Sequence, residues 1–342
     1  MQELQRYVPV SNTFGMQKIS PHIDRVTRTY ILKLIGSELL NEFLTAYEAA
    51  KLALDGKPDA ERKDIEKAGA IYTLMPEKYR EPMVFLQDAI ANISFMNCLS
   101  QMQANIDNEG IRLAVNENQK TAFQWQVDDM KFQMGSDGYG ALDNLLAYLE
   151  DNVEEFEAWT TSDSYFEQKQ FFVETADIFN RAYYISHNRM TYLTLRYIMQ
   201  RIEQFDVRRA ITPAVYAKLK ASQQTGYSAK EKILMQDFLI PGIVLITVAK
   251  GIVERAIEVS DLGVQANLYT YYVTLKDARR KNAFEADKDK MVSQLLADGG
   301  EFLQEARKFI EANADEFGAI EETENPMNFR VINKPERKIF GM

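Results

Sequence analysis

Two histidines, one cysteine and a few acidic pairs are the residues of this chain whose types suit chemistry. A serine–histidine–aspartate triad needs a histidine beside a nucleophile and an orienting acid. His22 and His187 each lie at or near the start of a predicted helix, so we interpret both as capping or surface histidines. Cys98 lies in the apolar sequence Phe95-Met-Asn-Cys-Leu99, which favours a buried and inert thiol.

The acidic and glycine motifs also indicate structure rather than catalysis. Asp128-Asp129 and Glu154-Glu155 are adjacent on predicted helices, where neighbouring side chains point in different directions and cannot act as a pair. The sequence Gly135-Ser-Asp-Gly-Tyr-Gly140 lacks the lysine of a phosphate-binding loop, so we interpret it as a flexible joint between helices. The residues therefore predict a protein that is not an enzyme and that needs no cofactor or metal.

The composition indicates a folded, acidic chain. Its 342 residues suit two domains of ordinary size, and 46% apolar residues support a sizeable core. A net charge of −10 is unfavourable for a general nucleic-acid clamp. The N-terminus shows no secretory signal pattern. The apolar stretch 238–253 is interrupted by Pro241 and Lys250 and is shorter than a membrane span, so we predict a buried core helix and no membrane partner.

Helical periodicity dominates the chain. Between Ile23 and Leu39, apolar residues recur at steps of three or four. Ser228-Ala-Lys-Glu231 predicts a capping box at a helix start. The alternating sequence Ile111–Val115 could be extended. A turn-rich segment, residues 158–164, is the predicted boundary between two halves.

Four short signatures recur in the same order in the two halves. They pair Leu32–Ile35 with Leu195–Ile198, Pro76–Tyr79 with Pro213–Tyr216, Leu86–Asp88 with Met235–Asp237, and Leu149–Phe156 with Ile310–Phe317. Their spacings are 163, 137, 149 and 161 residues, which we attribute to loops of different length. The sequence therefore predicts an all-α fold of two tandem, pseudo-symmetric helical-bundle repeats with extended N- and C-terminal arms. Chance similarity between helical segments is the alternative.

The two ends of the chain define the predicted arms. We predict an N-terminal arm at 1–18, helical repeats at 19–160 and 161–320, and a basic extended arm at 321–342. Residues 325–342 carry a net charge of +3 on a body of −13, so this arm can reach an acidic neighbour. The predicted partner-binding residues are its basic and apolar side chains: Phe329, Arg330, Val331, Ile332, Lys334, Arg337, Lys338, Ile339 and Phe340. Residues 329–332 could add to a sheet as an edge strand, and a plain disordered terminus is the alternative.

Motifs spread over nearly the whole chain carry a resemblance to a known family. They are Phe171–Phe179, Ser186–Arg196, Gln124–Val127, Ala141–Glu150 and Ile111–Leu113. The chain resembles an uncharacterised family of about this length that is found in Bacteroidetes phages and prophages near capsid and portal genes. It departs from that family at His187-Asn188, where smaller residues are expected. Each half is also similar in helix order to the small helical head–tail connectors of tailed phages.

The resemblance implies a virion structural protein. It would be a head–tail adaptor or head-completion protein that forms a ring below the portal and lines the DNA exit channel. Its partners would be other copies, the portal protein and a downstream neck or tail protein, while DNA would pass without sequence-specific binding. Twelve copies are expected, and a tandem repeat also permits six. The protein would assemble in the host bacterial cytoplasm and reside at the head–tail junction of the virion. The alternatives are another neck or tail-completion component and a non-viral helical interaction module.

Overall fold

The computed structural model describes residues 2–11, 14–102, 104–107, 110–113, 123–185, 187–254, 257–260, 263–266 and 285–318. The chain divides into two units, 1–167 and 168–342, so the division lies seven residues beyond the predicted boundary. The fold is all-α with two tandem repeats, and each unit adds one two-stranded antiparallel hairpin.

The first unit consists of helices joined by short turns, with one hairpin. Its elements are α1 (Gln2–Gln5), α2 (Met16–Val26), a π-helical segment (Thr27–Ile31), α3 (Leu32–Asp55), α4 (Asp59–Ala68), a 3₁₀ turn (Ile71–Leu74), α5 (Glu77–Met102), β1 (Ala104–Asp107), β2 (Gly110–Leu113), α6 (Gln124–Asp151), a 3₁₀ turn (Val153–Glu155), α7 (Glu157–Thr160) and α8 (Asp163–Lys169).

The second unit follows a similar order, with no counterpart of α4 among its described residues and with a second π-helical segment. Its elements are α9 (Ala176–Ala182), α10 (Arg189–Arg201), a π-helical segment (Ile202–Val207), α11 (Arg208–Ile211), α12 (Pro213–Thr225), α13 (Ala229–Ile233), a π-helical segment (Leu234–Leu239), α14 (Ile240–Glu254), β3 (Ile257–Ser260), β4 (Gly263–Ala266), α15 (Glu285–Ala312) and α16 (Ala314–Phe317).

In each unit a sharp break in the helix follows the first described π-helical segment. In the first unit the break is at Gly36 (φ 77°, ψ 167°), and in the second it is at Thr212 (φ 72°, ψ 151°). The four residues between π segment and break are Leu32–Ile35 in one unit and Arg208–Ile211 in the other. These two breaks therefore mark equivalent joints of the repeat.

The break at Gly36 frees a backbone carbonyl that two later side chains satisfy. The indole N–H of Trp159 donates to the Leu34 carbonyl at 3.3 Å, and the Ser164 hydroxyl donates to the same oxygen at 3.1 Å. Trp159 is fully buried. The turn-rich segment 158–164, predicted to separate the two halves, therefore packs against the first unit and places Trp159 in its core.

The predicted N-terminal arm is wrong for the described part of residues 1–18. Residues 2–5 form α1, and Leu4 and Val8 pack with Ile19 and Phe95 in a buried cluster. α1 stands in the first unit where α9 stands in the second, at the start of the repeat. The segment belongs to the folded body because it covers apolar side chains of α2 and α5.

A close crossing of two long helices forms the centre of each unit. A Cβ atom at Gly138 of α6 would lie 2.6 Å from Cγ1 of Ile93, and one at Gly299 of α15 would lie 2.6 Å from Cγ1 of Ile246. The glycines thus let two helix backbones approach closely. The predicted flexible joint at 135–140 is wrong, because these residues lie inside the continuous helix α6.

The ends of the two repeats also coincide. The Asn152 side chain donates to the Tyr148 carbonyl and the Asn313 side chain donates to the Phe309 carbonyl, both at 2.8 Å. Both asparagines have nearly the same backbone angles, φ −121° and ψ 37° against φ −123° and ψ 42°. This confirms the predicted pairing of Leu149–Phe156 with Ile310–Phe317.

The other three predicted pairings are wrong in register. Leu32–Ile35 follows its π segment, whereas Leu195–Ile198 precedes one. Pro213 opens the helix after the break, whereas Pro76 precedes the hairpin-bearing helix α5. The pairing of 86–88 with 235–237 joins the correct helices at non-equivalent positions, because Ile93 corresponds to Ile246. The two units are still repeats of each other. Their correct alignment pairs the breaks at Gly36 and Thr212 and the helix crossings at Gly138 and Gly299.

The hairpins occupy the same place in both units. β1 pairs with β2 from Ala104↔Leu113 to Asp107↔Gly110, and β3 pairs with β4 from Ile257↔Ala266 to Ser260↔Gly263. Each hairpin has four paired positions and two intervening residues. The hairpins follow α5 and α14, the helices whose Ile93 and Ile246 contact the crossing glycines. The extended stretch predicted around Ile111 is confirmed at β2.

The long apolar helix of the second unit is a core element, as predicted. Ala229–Glu254 is long and apolar enough to cross a membrane by length and composition, and more than half of its most apolar part is buried. Its buried residues pack with α10, α12 and α15 in a single cluster. A π-helical segment, Leu234–Leu239, ends two residues before Pro241.

Candidate functional site

The turn between α9 and α10 positions a histidine against a carboxylate. His187 adopts the left-handed conformation, φ 54°, and its Nδ1 lies 2.5 Å from Oδ1 of Asp177. Asn180 accepts the backbone N–H groups of Ile185 and His187 through Oδ1, so its amide nitrogen is left to donate to His187 Nε2 at 3.0 Å. Both imidazole nitrogens are therefore engaged within the turn.

The same turn explains the departure at His187-Asn188. Asn188 is the N-cap of α10, and its side chain accepts the Thr191 backbone N–H at 2.6 Å. Arg189 donates to the second oxygen of Asp177 at 3.2 Å. His187 is mostly exposed, in keeping with its prediction as a capping or surface residue. The cluster holds a strained turn rather than presenting a free base.

The other histidine and the cysteine, His22 and Cys98, are both buried in the first unit. His22 lies on the buried face of α2 and is 5% exposed, so its prediction as a capping or surface residue is wrong. Cys98 is buried, its Sγ lies 3.6 Å from the Lys18 carbonyl, and burial raises the pKa of its thiol. This confirms the predicted inert thiol. Among the described residues, no three His, Cys, Asp or Glu side chains could hold a metal ion together.

A buried ion pair in the second unit is a polar site that the sequence did not indicate. Glu203 lies in the π-helical segment 202–207 and is 2% exposed. Lys220 of α12 donates to Oε2 of Glu203 at 2.9 Å, and the Phe172 backbone N–H donates to Oε1 at 2.7 Å. Burial raises the pKa of Glu203 and lowers that of Lys220, while each charge opposes the shift of the other.

Lys220 and Gln223 of α12 hold the segment that precedes α9 by hydrogen bonds to its backbone. Lys220 also donates to the Gln170 carbonyl at 2.6 Å, and its ammonium lies 3.7 Å from the centre of the Phe172 ring. Gln223, one turn further on α12, donates to the Phe171 carbonyl at 2.6 Å and to Glu174 at 2.9 Å. Residues 169–174 are thus held at several backbone carbonyls by two side chains of one helix.

At the equivalent positions, which the structure describes, the first unit has no such pair. With Gly36 equivalent to Thr212, the counterparts of Glu203 and Lys220 are Thr27 and Leu44. Leu44 is half exposed there. The pair is therefore not part of the repeated fold, and it occurs where residues 169–174 must be attached.

The predicted capping box at Ser228 is confirmed. Its hydroxyl accepts the Glu231 backbone N–H at 3.2 Å, and Glu231 accepts the Ser228 backbone N–H at 2.9 Å. Burial alone would raise the pKa of Glu231, but hydrogen bonds from Ser228, Ser222 and Lys218 together hold it below its ordinary value. This carboxylate stabilises the start of α13.

The predicted partner-binding residues lie outside the described residues. They belong to the segment 319–342: Phe329, Arg330, Val331, Ile332, Lys334, Arg337, Lys338, Ile339 and Phe340. The extended C-terminal arm therefore stays a prediction.

A protein-family model matches the chain in two segments, 31–168 and 207–330, and is described as a family of unknown function, DUF6712. The chain belongs to this family. The DUF6712 segments begin at the last residue of the first π segment in each unit, Ile31 and Val207. No curated protein and no solved structure matches the chain.

Proposed function

We propose that this DUF6712 protein is a virion structural component, a head–tail adaptor or head-completion protein that forms a ring on a portal and surrounds the exiting DNA. The observation that carries the proposal is the duplication of a small helical unit with a glycine crossing and a hairpin at the same place in each copy. A duplicated unit offers similar surfaces twice along one chain, which suits a component that repeats around an axis. The resemblance to head–tail connectors supports the same conclusion.

The polar sites support a structural rather than a catalytic role. Glu203 and Lys220 attach a backbone segment, and His187 is engaged at both nitrogens by Asp177 and Asn180. A general base needs a nitrogen or oxygen within reach of a substrate proton. The net charge of −10 also favours sliding of DNA through a channel over adhesion to its wall.

Particle mass and shape test the proposal directly. We expect mass photometry and negative-stain microscopy of the purified chain, mixed with the portal protein of the same phage, to show a closed ring of twelve or six copies. A ring of another symmetry that does not bind the portal would favour a different neck or tail component. A monomer in both conditions would contradict the proposal and favour a helical interaction module.

Removal of the C-terminal arm tests the predicted contact site. Deletion of 325–342 is expected to weaken ring or portal assembly by at least about tenfold and to leave helix content unchanged, because the arm adds charge and apolar anchors outside the helical units. Circular dichroism checks the helix content, and titration with portal protein checks assembly.

Two further variants separate the contributions of the arm. One replaces its four basic residues with glutamine, and the other replaces Phe329, Val331, Ile339 and Phe340 with serine. Loss of assembly in the first variant alone would indicate electrostatic attraction, and loss in the second alone would indicate apolar anchoring. Full assembly by the truncated chain would contradict the arm prediction.

A further inference from the structure

One helical face of the second unit carries a straight stripe of exposed aromatic and basic side chains. Tyr197, Arg201, Phe205 and Arg209 follow one another at steps of four residues and are all exposed. Tyr197 is 50% exposed and Phe205 is 63% exposed. In an α-helix a step of four drifts around the axis. The π-helical segment 202–207 has a longer turn, so it counteracts this drift and keeps the stripe on one face.

The stripe is held in place by its neighbours. The Arg201 guanidinium lies 5.5 Å from the centre of the Tyr197 ring and 2.5 Å from a carboxylate oxygen of Glu254. The surface therefore presents two aromatic rings and an oriented arginine. Tyrosine, phenylalanine and arginine are enriched at the cores of protein interfaces.

The first unit shows that folding does not require these aromatic side chains. The equivalent positions there are Pro21, Arg25, Thr29 and Lys33, and all four are exposed as well. The buried positions between them keep their apolar character, since Val26 and Ile31 correspond to Ile202 and Val207. The aromatic rings are thus specific to the second unit and lie on a face that the fold leaves exposed in both units.

The charges of the two units indicate the partner. Residues 1–167 carry 27 acidic and 15 basic side chains, a net charge of −12. Residues 168–342 carry 23 acidic and 25 basic side chains, a net charge of +2. Arg208 and Arg209 are exposed at the end of the stripe. A surface that combines aromatic rings with arginines fits an acidic protein surface, and the first unit of another copy has that charge.

We propose that the stripe binds the first unit of a second copy of this chain. Such a contact joins different surfaces of two identical chains, so it propagates from copy to copy and closes into a ring when the rotation permits. The inference rests on the proposed function for the premise that copies associate, and it names the surface through which they do so.

The test compares the self-association of the full chain with that of two matched variants. Tyr197→Ser/Phe205→Ser removes both rings of the stripe, and Ile233→Ser/Met291→Ser removes two apolar side chains of similar exposure elsewhere in the same unit. We expect the stripe variant to raise the dissociation constant measured by sedimentation equilibrium about 100-fold or more, since hot-spot aromatics dominate interface affinity. The control variant is expected to change it less than about threefold. Equal thermal unfolding curves check that both variants fold.

Three outcomes would overturn the inference in distinguishable ways. If the parent chain forms rings and the stripe variant forms them equally well, the surface is wrong and the proposed function stands. If the parent chain stays monomeric alone and with portal protein, both proposals fail. If only the stripe variant loses affinity for a labelled 30-base-pair DNA duplex while self-association is unchanged, the stripe binds nucleic acid instead. As support, raising the salt concentration from about 0.05 to 0.5 M should weaken association of the parent chain.

Discussion

Replacing Lys220 with leucine is expected to lower the free energy of unfolding by about 3 kcal/mol. The change removes the cation that compensates Glu203, which is 2% exposed and cannot turn to water. Removal of one partner of a buried pair costs about 3–5 kcal/mol, and we take the lower end because the Lys220 side chain keeps 24% of its exposure. Urea unfolding followed by circular dichroism measures the effect.

The matched control gives both positions the residue types that the first unit has at its equivalent positions, Thr27 and Leu44. Glu203→Thr/Lys220→Leu removes both charges, but the Phe172 N–H then loses its acceptor, at a cost of about 1–3 kcal/mol. The double variant is therefore expected to be more stable than Lys220→Leu. If the single variant proved as stable as the double variant, the buried charge of Glu203 would not be costly.

The loss in Lys220→Leu should depend on pH. Burial raises the pKa of Glu203. In the variant the Lys220 ammonium no longer opposes this rise, and the hydrogen bond from the Phe172 N–H still does. The folded variant then binds a proton at a pH where the unfolded chain has released it, so stability falls as pH rises from the ordinary glutamate pKa to the raised one. The deficit relative to the parent chain should be smaller at about pH 5 than at about pH 8. An equal deficit at both would mean that Glu203 stays ionised.

Replacing Gly138 with valine is expected to destabilise the first unit by about 3 kcal/mol. A Cβ atom there would lie 2.6 Å from Cγ1 and 3.1 Å from the backbone nitrogen of Ile93. The backbone of a packed helix cannot move aside like a flexible side chain, so the two helices must separate. For Gly138→Ala the better helix propensity returns about 1 kcal/mol, which reduces the net loss.

Gly140 provides the control within the same helix. A Cβ atom there would have no neighbour within 4 Å, so Gly140→Ala is expected to stabilise by about 0.5–1 kcal/mol. Gly299→Val should destabilise the second unit about as much as Gly138→Val destabilises the first, because the Ile246 contact is also 2.6 Å. Equal stability of Gly138→Ala and Gly140→Ala in urea unfolding would contradict the close crossing.

The elements that sequence reasoning predicted correctly are those with a local signal. The Ser228–Glu231 capping box and the repeated motif ending at Phe156 and Phe317 are both read from a few adjacent residues. The core helix near Pro241 follows from its predominantly apolar composition. In each case the residue types that form the structure are neighbours in sequence.

The errors arose where the cause lies elsewhere in the chain. The glycines at 135–140 resemble a joint until Ile93 is known to pack against them. Helix α1 is too short to show a period, and its burial depends on Ile19 and Phe95. The repeat was misaligned because the breaks at Gly36 and Thr212 and the lengths of the intervening segments are not visible in four-residue matches.

Glu203 and the stripe were missed for a related reason. A charged residue among apolar positions is normally assigned to the exposed face of a helix, whereas Glu203 is buried in contact with the Phe172 backbone and with Lys220. Nothing in the sequence around Tyr197 and Phe205 marks them as exposed, because aromatic residues at helical spacing usually pack in the core. Comparison of the two units, once they are correctly aligned, is the signal that reveals both.

The equivalent joints at Gly36 and Thr212 reach one backbone shape by different thermodynamic routes. Glycine adopts φ near 75° without strain, and its cost is the larger conformational freedom that the unfolded chain loses. Threonine restricts the unfolded chain, and its cost is a strained native backbone of about 1–3 kcal/mol. The entropic cost grows in proportion to absolute temperature, whereas the strain is mainly enthalpic. Warming therefore penalises the first joint more than the second, so the two repeats share a fold without sharing a temperature response.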